Sequence, residues 1–350
     1  MKMNKLGKSD ILVSAFGMGC WSYGGGSYWG EQSQSNVDDI VDYALNAGVN
    51  YFDTAEVYNN GDSEISLGLA LKGKREKAII GSKVSTSNVR KKDLIEHCED
   101  SLKRLGTDYI DVYMLHWPVN QKAIEHFSTS ETAFDNFPNA GEVMDTMKLL
   151  KKQGKIREIG VSNHGSKQIE ELISLNSDFV VNELPYNLIS RAVEKNILNT
   201  CKTNNIGVFG YMAYQQGILT NKYNHPSELS IAQLHSRHFA QTRGGDMSRH
   251  FEDGAEEEIA NLLKVMADIA KEYGVTKNDL SLSWAMANDA ITSTLVGSRD
   301  VKQLSENLKS AEYILCDDVK KALDKASKPI WDKMGDSPDY YENSKDSRIY

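Results

Sequence analysis

The sequence predicts an α/β protein built as a (β/α)8 TIM barrel, and three observations carry that prediction. Eight β-like runs alternate with segments of helical periodicity along the chain. No GxGxxG follows the first strand, which removes the doubly wound dinucleotide fold; the run Gly24-Gly25-Gly26 has the wrong spacing and reads as a flexible loop. Several proton-handling residues stand just past the ends of β-like runs, where a barrel of parallel strands gathers them onto one face.

The elements follow in order. NKLGKSDILVSAFGMGC reads as a short hairpin, with LGKSD as its turn, leading into a first barrel strand; such a hairpin can plug the barrel bottom. The eight barrel strands are expected at 13–19, 49–55, 77–83, 109–115, 157–163, 178–183, 207–212 and 292–298. Between them, segments such as NVDDIVDYALNAG and KKDLIEHCEDSLKRLG place apolar residues at i, i+3 and i+4, and several end in Gly or Asn, as helix C-caps do. Two stretches interrupt the rhythm: a polar and aromatic loop at 117–140 and a loop rich in Arg, His and Gly at 218–255. Long loops on the C-terminal face of a barrel bind or cover ligand. Residues 1–331 are expected to form a single domain. The tail 332–350 has no clear periodicity and either drapes near the mouth of the site or is loose.

Composition limits the function classes. The chain has 350 residues, 40% of them hydrophobic and 25% charged, as in a globular protein with a sizeable core. A net charge of -9 opposes attraction to nucleic acid or anionic membrane. No stretch approaches the roughly 20 apolar residues that span a bilayer, and the N-terminus lacks an apolar signal core, so a cytoplasmic protein is expected. Cys20, Cys98, Cys201 and Cys316 are widely spaced, without metal-ligand or disulfide patterning. Most are expected as buried thiols, and no metal site is expected. No oligomeric state is read from the sequence.

The candidate catalytic residues are Asp53 and Tyr58 in NYFDTAEVY, Lys83 in IIGSKVS and His116 in DVYMLHWP. Singly, each has a plainer reading: Tyr58 a packed aromatic, Asp53 part of a helix cap, Lys83 a solvated strand-end lysine, His116 a loop histidine. Jointly, four plain readings do not predict four strand ends on one barrel face. Proton-handling groups gathered on one face are what an enzyme's active site needs. A rival for Lys83 is a Schiff-base nucleophile, which strand-end lysines in aldolase-type barrels provide.

With these residues in place, the chain resembles the aldo-keto reductases. LGKSDILVSAFGMG, NYFDTAEVY, KRLGTDYIDVYMLHWP, GKIREIGVSN, YNLISR and LVGSRDVKQLSENL carry the resemblance in order and over nearly the whole length. It implies the tetrad Asp53, Tyr58, Lys83 and His116, acting in carbonyl reduction by hydride, which places negative charge on oxygen and needs a proton donor: Tyr58 would donate, with Lys83 expected to lower its pKa, Asp53 to hold the lysine, and a neutral His116 to orient the carbonyl. It also implies a nicotinamide dinucleotide lying across the barrel top. Gly19, Cys20, Trp21 and Asp53 would neighbour that cofactor. Ser162 and Asn163 would hold its carboxamide, and Tyr211 would stack on its ring, unless that tyrosine is simply packed in the core. Gly217, Leu219 and Lys222 would form a pyrophosphate loop, with Arg237 and Arg243 closing over it. Gly297, Ser298, Arg299, Gln303, Glu306 and Asn307 match the adenosine-phosphate site. Arg299 would pair with a 2′-phosphate, favouring NADP(H) with NAD(H) possible, unless it is an exposed rim charge. Ser298 is expected at a helix N-terminus that attracts phosphate.

Two departures stand out. Glu183 replaces the family's usual Gln, and a carboxylate accepts hydrogen bonds but cannot donate them. Met212-Ala213-Tyr214 replaces Ser-Pro-Leu, so a hydroxyl contact to pyrophosphate is lost.

The substrate wall is expected from Trp21, Tyr23, Tyr28, Trp29, Tyr58, His116 and Trp117, together with the 117–140 loop and the tail. Aromatic rings among polar groups suit a small-molecule carbonyl or sugar substrate. The resemblance leaves a second class open: a dinucleotide-binding sensor similar to potassium-channel β subunits, with little turnover.

Overall fold

The structure, a computed structural model, describes residues 1–128, 135 and 137–350. Eight strands close into a parallel barrel, preceded by a two-stranded hairpin. The hairpin comprises β1 (Met3–Lys5) and β2 (Leu12–Ser14). The barrel comprises β3 (Phe16–Gly19), β4 (Tyr51–Asp53), β5 (Ile79–Val84), β6 (Ile110–Leu115), β7 (Ile156–Ser162), β8 (Phe179–Pro185), β9 (Gly207–Tyr211) and β10 (Ser293–Val296). Strand order follows chain order, and β10 pairs with β3 to close the ring.

The hairpin seals the bottom of the barrel. Leu6, Ile11 and Val13 are buried and join Tyr51, Val112, Met114, Val181, Phe209 and Leu295 in one apolar cluster inside it. The rings of Tyr51 and Phe209 pack 4.2 Å apart between centroids. That packing requires Gly81 on β5, because a Cβ there would lie 2.1 Å from the Tyr51 hydroxyl. The lower barrel is therefore a filled core, and chemistry is confined to the upper rim.

Helices wrap the barrel, and their ends follow local sequence. Asn139 caps Ala140–Lys152 in a reciprocal arrangement with Glu142, and Thr276 caps Lys277–Met286 in the same way with Asp279. Two expectations need correction. The 117–140 stretch is not wholly loop, since Asn120 caps a helix at Gln121–Phe127; residues 129–134 and 136 of that stretch lie outside the described residues. The last helix, Asp317–Met334, runs three residues into the expected tail and includes Pro329.

Beyond that helix the chain packs down. Asp339 and Arg348 form a fully buried ion pair, with Nη2 to Oδ1 at 2.6 Å and Nε to Oδ2 at 2.9 Å. The Arg348 guanidinium lies 3.5 Å from the centroid of the Trp117 ring. Its carbonyl accepts from Asn120 and Gln168, so the tail is tied across the barrel's upper face. Among the described residues, no helix is long and apolar enough to cross a membrane.

Candidate active site

Strand ends bring the four expected catalytic residues together. Asp53 is the last residue of β4, Lys83 lies near the end of β5, His116 follows β6, and Tyr58 opens the turn after β4. Lys83 Nζ donates to both Asp53 oxygens at 2.6 and 2.7 Å, to the Thr54 carbonyl at 2.9 Å and to the Tyr58 hydroxyl at 3.3 Å. Lys83 is fully buried, whereas Tyr58 and His116 are half-buried and reach the rim. The Tyr58 and His116 rings are 5.7 Å apart, edge to face.

The electrostatics of this cluster differ from expectation in one respect. Lys83 does favour the Tyr58 phenolate, but burial outweighs it, so the net shift of the Tyr58 hydroxyl is upward. Burial works against the Lys83 ammonium, yet the Asp53 carboxylate, through its charge and its hydrogen bond, holds it above the ordinary lysine value. An ammonium so held, with its donors committed, is not a free amine nucleophile, which removes the Schiff-base reading. Burial, then the Lys83 and Arg348 charges, push His116 well below its ordinary value, leaving a neutral imidazole.

Beside this cluster lies a second one. Tyr211 at the end of β9 donates to Asn163 Oδ1 at 2.8 Å. Asn163 Nδ2 donates to the His116 carbonyl at 3.1 Å and to Ser162 Oγ at 3.0 Å. Ser162 Oγ in turn donates to the Glu183 carbonyl at 3.1 Å. Glu183 is buried, with Oε1 3.4 Å from Lys83 Nζ and Oε2 without a hydrogen-bond partner among the described residues. Backbone strain marks the same rim. Asn163 and Met212, which follow β7 and β9, and Asn59 beside Tyr58 have φ of 60°, 61° and 50°, in the left-handed region disfavoured for non-glycine residues.

The aromatic residues divide. Trp21, Tyr28 and Trp29 form a cluster with centroids 5.0 to 5.3 Å apart, and Trp21 lies 5.8 Å from Tyr58. Tyr23 is not on the wall; it is fully buried in the core beside Cys20. Trp117 is also buried, its face covered by Arg348. Sequence reasoning missed Arg348 as a member of this rim.

The expected phosphate-binding positions are more scattered. Gly19 and Gly297 flank the paired ends of β3 and β10, and Gly217 has a φ of 95° in its turn. Cys20, Leu219 and Ala213 have buried side chains, while Lys222 is exposed above the Tyr223 ring. Ser298 is not at the helix N-terminus. The helix Val301–Glu312 is capped by Asp300, which accepts from Gln303 N, and Ser298 is buried against Asn307. Glu306 is exposed on that helix. The Arg299 guanidinium holds the first loop, donating to the carbonyls of Trp29 and Glu31 and to Gln32 Oε1.

Arg237 and Arg243 do not close over the pyrophosphate positions either. Arg237 is buried in a two-pronged pair with Glu252 and also donates to the carbonyls of Met334 and Ser337, tying the seventh loop to the tail. Arg243 pairs with Glu256 and donates to the Pro226 carbonyl. Among the described residues, no group of His, Cys, Asp and Glu is arranged to hold a metal ion.

Comparison with known proteins places this geometry. Residues 15–328 match the model of the Aldo/keto reductase family. The chain is 28% identical over 337 residues to the NADH-specific methylglyoxal reductase of Escherichia coli, covering 91% of this chain and 95% of that protein. It is 29% identical over 344 residues to a putative voltage-gated potassium channel subunit beta of Schizosaccharomyces pombe, covering 91% of each. The solved structure of the glycerol dehydrogenase of Gluconobacter oxydans superposes with a TM-score of 0.74 at 26% identity, over 93% of this chain and 94% of that one.

Proposed function

Since the chain belongs to the aldo/keto reductase family, we propose that it reduces an aldehyde, ketone or sugar carbonyl to the alcohol, with a nicotinamide dinucleotide as reductant and Tyr58 as proton donor. The observation that carries this reading is the buried chain from Asp53 through Lys83 to a Tyr58 hydroxyl at the rim.

The rim suits such a cofactor. Tyr211, Ser162 and Asn163 form one hydrogen-bonded surface, tied to the Glu183 carbonyl, and the amide and hydroxyl groups of that surface suit a carboxamide. When bound, the dinucleotide supplies the hydride that adds to the carbonyl carbon. Tyr58 gives its proton to the carbonyl oxygen, completing the alcohol. Lys83 stabilises the phenolate left behind, and Asp53 keeps the lysine in place and charged. His116, neutral and facing Tyr58, orients the carbonyl oxygen. Trp21, Tyr28 and Trp29 hold the substrate's apolar part and exclude water.

NADPH is the proposed donor. A 2′-phosphate offers Arg299 a bidentate ion pair in place of hydrogen bonds to neutral carbonyls, and so draws the guanidinium from the first loop. The NADH-specific relative makes NADH the necessary comparison. That relative's name also puts small 2-oxoaldehydes first among substrates to try.

The test is loss of reduced-nicotinamide absorbance with NADPH, then NADH, against aldehydes, ketones and sugars. Turnover that disappears in Tyr58→Phe supports the proposal. The relative named as a channel subunit favours a second reading, a dinucleotide sensor. Tight binding without turnover across the panel would select it.

A further inference from the structure

Resting on the reductase reading, this inference concerns what Glu183 adds to it. Asp53, Lys83 and Glu183 are all buried, and two carboxyl groups face one ammonium. Lys83 can neutralise one carboxylate. A second buried anion would stand uncompensated, which burial strongly disfavours, and two carboxyls sharing a site avoid this by keeping a proton on one of them. Both Asp53 oxygens lie within 2.7 Å of Lys83 Nζ, so the charge stays there. Glu183 approaches Lys83 only at 3.4 Å and is the less stabilised of the two as an anion, so the proton belongs on Glu183. Burial, then the Asp53 charge, push the Glu183 carboxyl well above the usual range; burial also raises Asp53, with Lys83 opposing.

Among the described residues, the groups facing Glu183 are few. Asp53 and Tyr51 come from β4, Tyr58 from the turn after it, Lys83 from β5 and Tyr211 from β9. Lys83 is the one cation among them, and Asp53 already neutralises it. A positive charge arriving beside Ser162, Asn163 and Tyr211 would therefore find in Glu183 its nearest source of a new counter-charge.

We propose that Glu183 is a proton-loaded acid that distinguishes the two redox forms of the nicotinamide, remaining neutral beside the reduced ring and ionising beside the oxidised one. The reduced ring is neutral, and the oxidised ring carries one positive charge. Binding the oxidised dinucleotide then breaks the Glu183 O–H bond and releases that proton to bulk water, leaving a carboxylate beside the ring. Binding the reduced form releases none. The preference for the oxidised form therefore rises about tenfold for each pH unit within the linked range. Glu183 acts here as a positioning residue for charge; hydride and substrate proton follow the route already described.

The experiment is calorimetric titration of the full chain with NADP+ and with NADPH, in buffers of different ionisation enthalpy between about pH 6 and 8. The 2′-phosphate is common to both ligands, so its protons cancel in the difference. The wild type should release close to one more proton with NADP+ than with NADPH, and Glu183→Gln should abolish that difference. Equal release with both ligands in the wild type, or an unchanged difference in Glu183→Gln, would overturn the proposal. Should Glu183→Gln fail to fold, infrared difference spectra of the wild type with glutamate labelled decide it, through loss of a protonated carboxyl band with NADP+ but not NADPH. If neither dinucleotide binds the wild type, the reductase reading falls, and this role for Glu183 with it. A protonated carboxyl band in the free protein would still report the proton separately.

Discussion

Lys83 Nζ stands 3.3 Å from the Tyr58 hydroxyl, with both Asp53 oxygens gripping the ammonium from the other side. This geometry gives Tyr58 an adjacent ammonium that offsets part of the cost of forming its buried phenolate. Tyr58→Phe should lower turnover by about 10²–10⁴ while leaving dinucleotide affinity within a few-fold. Lys83→Met should lower turnover as well and, by leaving Asp53 buried without its cation, should also destabilise the fold. Steady-state kinetics paired with fluorescence titration of NADPH checks this. Substantial reduction remaining in Tyr58→Phe would remove the tyrosine as proton donor.

Arg299 has two competing uses, and their difference can be measured. Its guanidinium holds the carbonyls of Trp29 and Glu31, in the loop that also carries part of the aromatic wall. Arg299→Ala should weaken NADPH binding about tenfold to a hundredfold, the worth of a charge-assisted contact of roughly 1.5–3 kcal/mol, and should weaken NADH far less. Dissociation constants for both dinucleotides decide the matter. Equal losses for the two would leave Arg299 as a tie for the first loop and nothing more.

Sequence reading reached the barrel and the Asp53, Tyr58, Lys83 and His116 cluster for the same physical reason. Buried parallel strands write continuous apolar runs, and their ends fix which residues share the upper rim. The environment of Arg299 was not legible, because its partners Trp29 and Glu31 offer backbone carbonyls that carry no side-chain signature. Arg237 and Arg243 read in the sequence as ligand-closing cations, whereas the fold sets Glu252 and Glu256 beside them. Tyr23 fell among wall aromatics by composition, and only the turn after β3 sends it into the core. Arg348 lies far from Trp117 along the chain, in a tail without periodicity, so nothing linear joined them. The proton on Glu183 depends on three strands meeting around one ammonium, which no spacing along the chain expresses.

His97 provides a pH-dependent element away from the rim. Its Nδ1 lies 2.6 Å from Glu56 Oε2, and that hydrogen bond raises its pKa against a smaller opposing effect of burial. A histidine raised on folding contributes stability that is fully present below its unfolded value and is lost as pH rises through its folded value. Thermal midpoints should therefore fall more steeply in the wild type than in His97→Gln between about pH 6 and 8. Identical slopes for the two proteins would show that this pair does not couple folding to pH.

The tail offers the largest expected effect on stability. Asp339 and Arg348 are almost completely buried, and the carboxyl of Asp339 is held below its ordinary value by Arg348 despite its burial. Removing one partner leaves the other charged without compensation, so Asp339→Ala or Arg348→Ala should cost about 3–5 kcal/mol. Arg348→Ala should also uncover the Trp117 ring and remove a positive charge that helps keep His116 neutral. Two readouts separate these effects. Denaturant unfolding should register both variants alike, whereas any limb that His116 gives the pH profile of carbonyl reduction should move upward in Arg348→Ala alone, and only modestly, because burial and the Lys83 charge remain. Asp339→Ala leaves the Arg348 charge in place and should keep His116 depressed. If both variants unfold like the wild type, the tail is not fastened by this pair, and a common shift in their pH profiles would trace the change to a loosened tail instead of to the charge on Arg348.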